Sequence, residues 1–148
     1  AFHTASTAVM AAAQERGKMA VAYHSDMRRT GPDAQIVAVT HQWGRYYTDR
    51  VRAVANGTWK STNLWGGVRE GMIRVGDFGT RVPAAVQQEV LNAQKAIGAG
   101  TLQPFRAGKT AVRDNDGQER IAAGQALEDA QILQMNWLVE GVVGKLAR

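Results

Sequence analysis

A chain of 148 residues, 45% of them hydrophobic, can bury one ordinary core and is too short for two domains of typical size. The net charge of +5, from 18 lysines and arginines against 13 acids, is spread along the chain and comes with no RNP, zinc-finger or helix-turn-helix pattern, so nucleic acid is not expected as a partner. With no cysteine there is no disulfide framework, thiol nucleophile or cysteine-based zinc site, and neither AFHTASTAVM nor any later run reads as a targeting or membrane-spanning segment.

The pattern predicts a helix from Ser6 to Arg16, with Val9, Ala12 and Ala13 on one side and Gly17 as its stop. MAVAY (19–23) reads as a buried strand. After the turn-rich link MRRTGPDAQ, the β-branched run IVAVT (36–40) reads as a second strand with both faces covered. This rhythm is that of a parallel α/β sheet. From Gln42 to Ala55, Trp43, Tyr47, Val51 and Val54 recur at helical spacing, and Asn56-Gly57 ends the pattern. TWKSTNLWGGVREGMIRV suggests a loop around Gly66-Gly67 leading into strands near 65–75. In VPAAVQQEVLNAQKAIGAG, Pro83 sits in the first turn of a helix whose stripe is Val86, Val90, Ala93 and Ile97. KTAVRDNDGQERIAAG alternates on both sides of Asp116-Gly117, a hairpin signal. A short helix near Glu128–Met135 and the apolar tail NWLVEGVVGKL complete the chain.

Candidate chemistry gathers in AYHSDM (22–27), where a histidine, a hydroxyl and a carboxylate follow an apolar run. Adjacent side chains on an extended backbone point to opposite sides, so His24-Ser25-Asp26 cannot by itself be a nucleophile–base relay, and no G-x-S-x-G elbow is present. His3, His24 and His41 all lie at predicted strand ends, which parallel strands would bring to one edge, yet they lack H-E-x-x-H spacing. Gly66-Gly67 and IGAG match neither a P-loop nor a dinucleotide fingerprint. Position is the remaining signal: open α/β sheets bind ligands outside the carboxyl ends of their strands, and FHTAST, AYHSDM and VTHQW each put polar residues just past an apolar strand. The alternatives are ordinary solvated loop residues, or a small metal-dependent or hydrolytic enzyme using His3, His24, His41 and Asp26.

The runs AVAYHSDM, IVAVTHQWGRYYTDRVRAVANGTWKSTNLWGGVREGMIRV, VPAAVQQEVLNAQKAI and MNWLVEGVVGK resemble the C-terminal part of the basic membrane protein (BMP) family, also called PnrA-like. These are substrate-binding proteins of ABC importers. The resemblance implies an α/β fold of the type I periplasmic-binding-protein kind, a parallel sheet flanked by helices, of which this chain holds the C-terminal portion only. It implies strands and a helix of the C-terminal lobe over 1–41, a crossing segment and a helix of the other lobe over 42–64, and a return to the C-terminal lobe over 65–148. It also implies that an N-terminal lobe, a signal peptide and a lipidated cysteine lie outside the chain.

The same resemblance implies a purine-type ligand, nucleobase or nucleoside, in an interlobe cleft, with no catalysis, metal or cofactor. Its ligand-binding residues would be His24, Asp26, His41, Thr4 and Ser6. The family carries an acidic residue at the position aligned with His24 and a lysine at that aligned with His41, both directed at the ligand's sugar; neutral imidazoles suit a nucleobase or another flat heterocycle at least as well. The implied partners are a transporter permease and either the missing N-terminal lobe or a second copy of the chain, in the periplasm or cell envelope.

Overall fold

The computed structural model describes residues 6–146 and divides into two compact units, Ala1–Leu102 and Gln103–Arg148. In the first unit the order is α1 (Ala8–Glu15), β1 (Ala20–His24), β2 (Gln35–His41), α2 (Trp43–Ala55), β3 (Ile73–Gly76) and α3 (Ala84–Gly98). The three strands form one sheet in the order β1-β2-β3. β1 and β2 are parallel, with His24 opposite Thr40, as MAVAY and IVAVT predict.

β3 runs antiparallel to β2, pairing Ile73 with His41 and Gly76 with Ala38, so the sheet is mixed. Only Ile73–Gly76 of the region read as strands near 65–75 is extended. Ahead of it the chain closes a loop: Gly67 N–H donates to the Glu70 carboxylate at 2.7 Å, and the amides of Met72 and Ile73 return to the Gly67 carbonyl.

All three helices stop at glycines, two of them, Gly17 and Gly57, being the stops read from the sequence. Gly17, Gly57 and Gly100 have φ of 61°, 66° and 74°. In each case the glycine amide and the next one fold back on the last-turn carbonyls, Lys18 N–H reaching Ala13 and Thr58 N–H reaching Ala53. A glycine adopts this left-handed cap without the penalty a Cβ would bring.

The core beneath the parallel pair is small and alanine-rich: Met10 of α1 packs with Ala22, Met27, Ala34 and Ala38, with Ala13 and Ala20 at its margin. Burying Met10 contributes about 1.5–3 kcal/mol. Gln35 and Thr40 of β2 are also buried. α3 docks on β3, where Gln94 Oε1 accepts the edge amide of Val75. α2 differs: its stripe of Trp43, Tyr47, Val51 and Val54 is 42–68% exposed.

In the second unit, β4 (Val112–Arg113) and β5 (Glu119–Ile121) form the predicted hairpin, with Gly117 at φ 80°. Asp114, 2% exposed, organises its turn by accepting the amides of Asp116 and Gln118 and the guanidinium of Arg120. Burial alone would raise this carboxyl, but those donors outweigh it and hold it below the usual range. α4 (Asp129–Leu133) follows, its preceding Glu128 amide capped by Gln131 Oε1.

Candidate functional site

The carboxyl ends of β1 and β2 lie side by side, and there the chain departs from regular strand geometry. His24, the last residue of β1, has φ 72°. This left-handed conformation costs a non-glycine residue on the order of 1 kcal/mol and persists only where the surroundings fix it. The fixing contact is His41, the last residue of β2: the two Nδ1 atoms are 3.0 Å apart and hydrogen-bonded. β2 is pinned at the same level by Gln42 N–H donating to the Met72 carbonyl at 2.8 Å.

From this pair an aromatic row continues into α2. The His24 and His41 rings are 4.8 Å apart between centroids. His41 stacks on Trp43 at 5.5 Å and 22°, and Trp43 stacks on Tyr47 at 5.9 Å and 29°. Tyr23 lies against His24, Tyr46 meets Trp43 edge-on, and the Arg50 guanidinium sits over Tyr46 at 5.3 Å. Flat faces beside imidazole nitrogens can stack on a heterocycle and hydrogen-bond its edge. A cleft of about 400 Å³, lined in part by Gln42, Tyr46, Arg69 and Met72, adjoins the row through the first two residues.

Asp26 is engaged elsewhere. Arg28 grips both of its oxygens, through Nε at 2.9 Å and Nη2 at 2.6 Å, and Gln35 Nε2 adds a bond of 3.1 Å. The Arg28 hydrogen bonds lower its pKa to about 2. Asp77 joins this cluster, pairing with Arg28 and Arg74 and accepting Gln35 Nε2 at its backbone carbonyl. The cluster ties the link after β1 to the residue after β3. Ser6 Oγ accepts the Ala8 amide at the start of α1, at 3.1 Å. Thr4 and His3 lie outside the described residues. Among the described residues no three His, Cys, Asp or Glu side chains are grouped to hold a metal.

A concavity of about 860 Å³ belongs to the second unit and is lined by Asp114, Asn115, Arg120, Trp137 and Lys145 among others. Several of its polar groups are spent within the protein: Asp114 on Arg120, and Asn115 Nδ2 on the carbonyls of Val142 and Gly144.

A family model described as ABC transporter substrate-binding protein PnrA-like matches residues 1–105. The chain belongs to this family. Along 144 residues this PnrA-like chain is 40% identical to a purine-binding protein of Brucella abortus, a match covering 97% of the chain and 40% of that protein. It is 23% identical over 103 residues to a Haloferax volcanii protein provisionally named for glucose binding in an ABC transporter, covering 65% of the chain and 26% of that protein. The chain thus spans two fifths or less of the curated relatives it matches. A crystal structure of a transcriptional activator of the comK gene from Bacillus halodurans shares the fold, with TM-score 0.57 and 21% identity over 65% of the chain and 34% of that structure.

Of the residues singled out in the PnrA-like sequence, His24 and His41 are brought into contact, whereas Asp26 bonds to Arg28 and Gln35. The row formed by Trp43, Tyr46 and Tyr47 was not read as part of a site. Its signal was available: three aromatics at spacings of three and four follow His41 directly.

Proposed function

We propose that this chain forms one side of an interlobe cleft in the substrate-binding protein of an ABC importer, and that the ligand is a purine-type compound. The observation that carries the reading is the hydrogen-bonded His24–His41 pair at the carboxyl ends of two parallel strands, continued by the stacked rings of Trp43 and Tyr47. The name of the Brucella relative supports it. His24 and His41 are the contact residues, with Thr4 and Ser6 adding hydroxyl or backbone contacts. Asp26 first holds the link through Arg28 and Gln35, and touches a ligand only by exchanging one of those donors.

In this reading 42–64 crosses to a second lobe, which the exposed stripe of α2 supports, since an unpartnered apolar face calls for a cover. The residues 1–41 and 65–148 belong to the C-terminal lobe. The protein acts in the periplasm or cell envelope as a lipoprotein handing its ligand to a permease. The test is calorimetric titration of the intact protein with adenine, guanine, adenosine, guanosine and glucose. Saturable one-to-one binding of at least one purine compound and none of glucose is expected; glucose binding alone, or no binding of any purine, overturns the proposal.

A further inference from the structure

Strand alternation alone would send the His24 ring away from His41. β1 and β2 pair with Ala22 opposite Ala38 and Tyr23 opposite Val39, and Ala22 and Ala38 both face the core that holds Met10 of α1. Side chains two apart share a face, so Tyr23, Val39 and His41 belong to the other side of the sheet, and an extended His24 would join Thr40 on the α1 side. The observed ring lies on the Tyr23 side. Its centroid is 3.9 Å from that of Tyr23 and 4.8 Å from that of His41, and the Tyr23 ring is 5.9 Å from His41 and edge-on to it. The φ of 72° is what moves it. This angle turns a residue's own Cβ about the N–Cα bond, and passing from a strand value of about −120° to 72° is roughly half a turn.

We infer that Tyr23 is the positioning residue for His24: its ring is the seat against which the left-handed imidazole rests, and without it residue 24 returns to the extended conformation and leaves His41. The inference rests on the purine reading only in taking His24 as a ligand contact; the seating is a property of the free protein. The bond to His41 is not enough by itself, because His24 is exposed and water competes for a hydrogen bond at such an edge. Tyr23 adds an aromatic face, tilted by 49°, that shields one side of the imidazole and does not depend on which nitrogen holds the proton. Histidine is among the few residue types that accept positive φ readily, so the seat has a modest preference to overcome. Tyr23 acts through His24 and itself touches no ligand.

The experiment compares Tyr23→Leu, Tyr23→Phe and His24→Asn, singly and with Tyr23→Leu and His24→Asn combined, in the intact protein. Nuclear magnetic resonance of the free protein reads the seating directly: positive φ gives a strong contact between the amide proton and Hα of residue 24, and the His24 ring protons should contact both Tyr23 and His41. Tyr23→Phe should keep these marks. Tyr23→Leu should lose the positive-φ mark and the His24–His41 ring contact while the other amide shifts of β1 and β2 stay native. Titration with adenine and guanosine should show binding weakened roughly tenfold in Tyr23→Leu and changed by less than about threefold in Tyr23→Phe, because apparent affinity falls with the fraction of molecules holding the competent conformation. In the His24→Asn background, where the imidazole is gone and asparagine tolerates the left-handed backbone, Tyr23→Leu should change affinity by less than about twofold. Absence of either mark in the unsubstituted protein, survival of both in Tyr23→Leu, or an equal loss of affinity on Tyr23→Leu with and without His24 would each overturn the inference. Failure to bind any purine would strike the purine reading and leave the free-protein marks to decide this one.

Discussion

Replacing Gln35 by leucine should remove the joint that holds the link after β1. Gln35 is 1% exposed, and its amide makes three bonds: Oε1 accepts Met27 N–H at 2.8 Å, and Nε2 donates to Asp26 Oδ1 at 3.1 Å and to the Asp77 carbonyl at 2.5 Å. Each such bond contributes about 1 kcal/mol net, and a buried amide or carbonyl left without a partner costs about 1–3 kcal/mol more. Leucine fills most of the volume and returns roughly 1–2 kcal/mol of apolar burial. The balance is a loss of about 3 kcal/mol, or a fall in Tm on the order of 10 °C for a unit of this size. Urea unfolding with an unchanged slope is the assay. Gln35→Glu, which keeps the acceptor but sets a second carboxylate beside Asp26, should be at least as damaging. A loss below about 1 kcal/mol in Gln35→Leu would refute the claim that this amide is a structural joint.

A Cβ built on Gly79 would overlap the Gln35 carbonyl oxygen, a backbone atom that cannot swing aside, so Gly79→Ala should cost more than about 3 kcal/mol or prevent folding; Gly44→Ala, in open space within α2, should gain up to about 1 kcal/mol, and denaturation of the two variants compares them directly. Because the folded-state pKa of Asp26 is lowered to about 2 from 3.8, its contribution is complete above pH 3.8 and is lost as pH falls from there through about 2. At a side chain 37% exposed, solvent screening limits it to about 1 kcal/mol. Urea midpoints between pH 5 and 2.5 should fall less steeply in Asp26→Asn, and equal slopes would show the pairing is immaterial. If the two imidazoles replace a charged sugar clamp, the intact protein should bind a free purine base at least as tightly as its nucleoside, since neutral hydrogen bonds offer about half the strength of charge-assisted ones. A nucleoside preference near a hundredfold, about 2.7 kcal/mol, in calorimetry would contradict this.

Element ends were legible where one residue type has one physical use. Gly17, Gly57 and Gly100 each mark a left-handed cap because no other residue takes that conformation as freely. The β-branched run 36–40 and the turn at Asp116-Gly117 read correctly for similar reasons. Strand direction was not legible: alternation says that Ile73–Gly76 is extended, but the loop before it decides that it returns antiparallel. Within the candidate site, His24 and His41 were found because strand ends collect ligand groups. The bond between Asp26 and Arg28 is not legible in the sequence, because it depends on a local turn in which the Arg28 amide and Nε both reach Asp26 Oδ1, and periodicity does not specify that turn. Gln35 falls in the turn-rich link MRRTGPDAQ by sequence; its burial comes from partners 8 and 42 residues away.

The alanine-lined core of the first unit makes its two methionines the adjustable filling, and a thioether is also a chemical reporter. Met19 is 57% exposed and Met135 is 42% exposed, whereas Met10 is 2% exposed. Dilute peroxide will convert the open thioethers to sulfoxide at the rate of free methionine, while Met10 can react only in molecules whose helix α1 has lifted from β1 and β2. The ratio of the two rates, read by mass spectrometry on peptides from one sample, is a clock for how often the sheet beneath the histidine pair opens, and it needs no label or ligand.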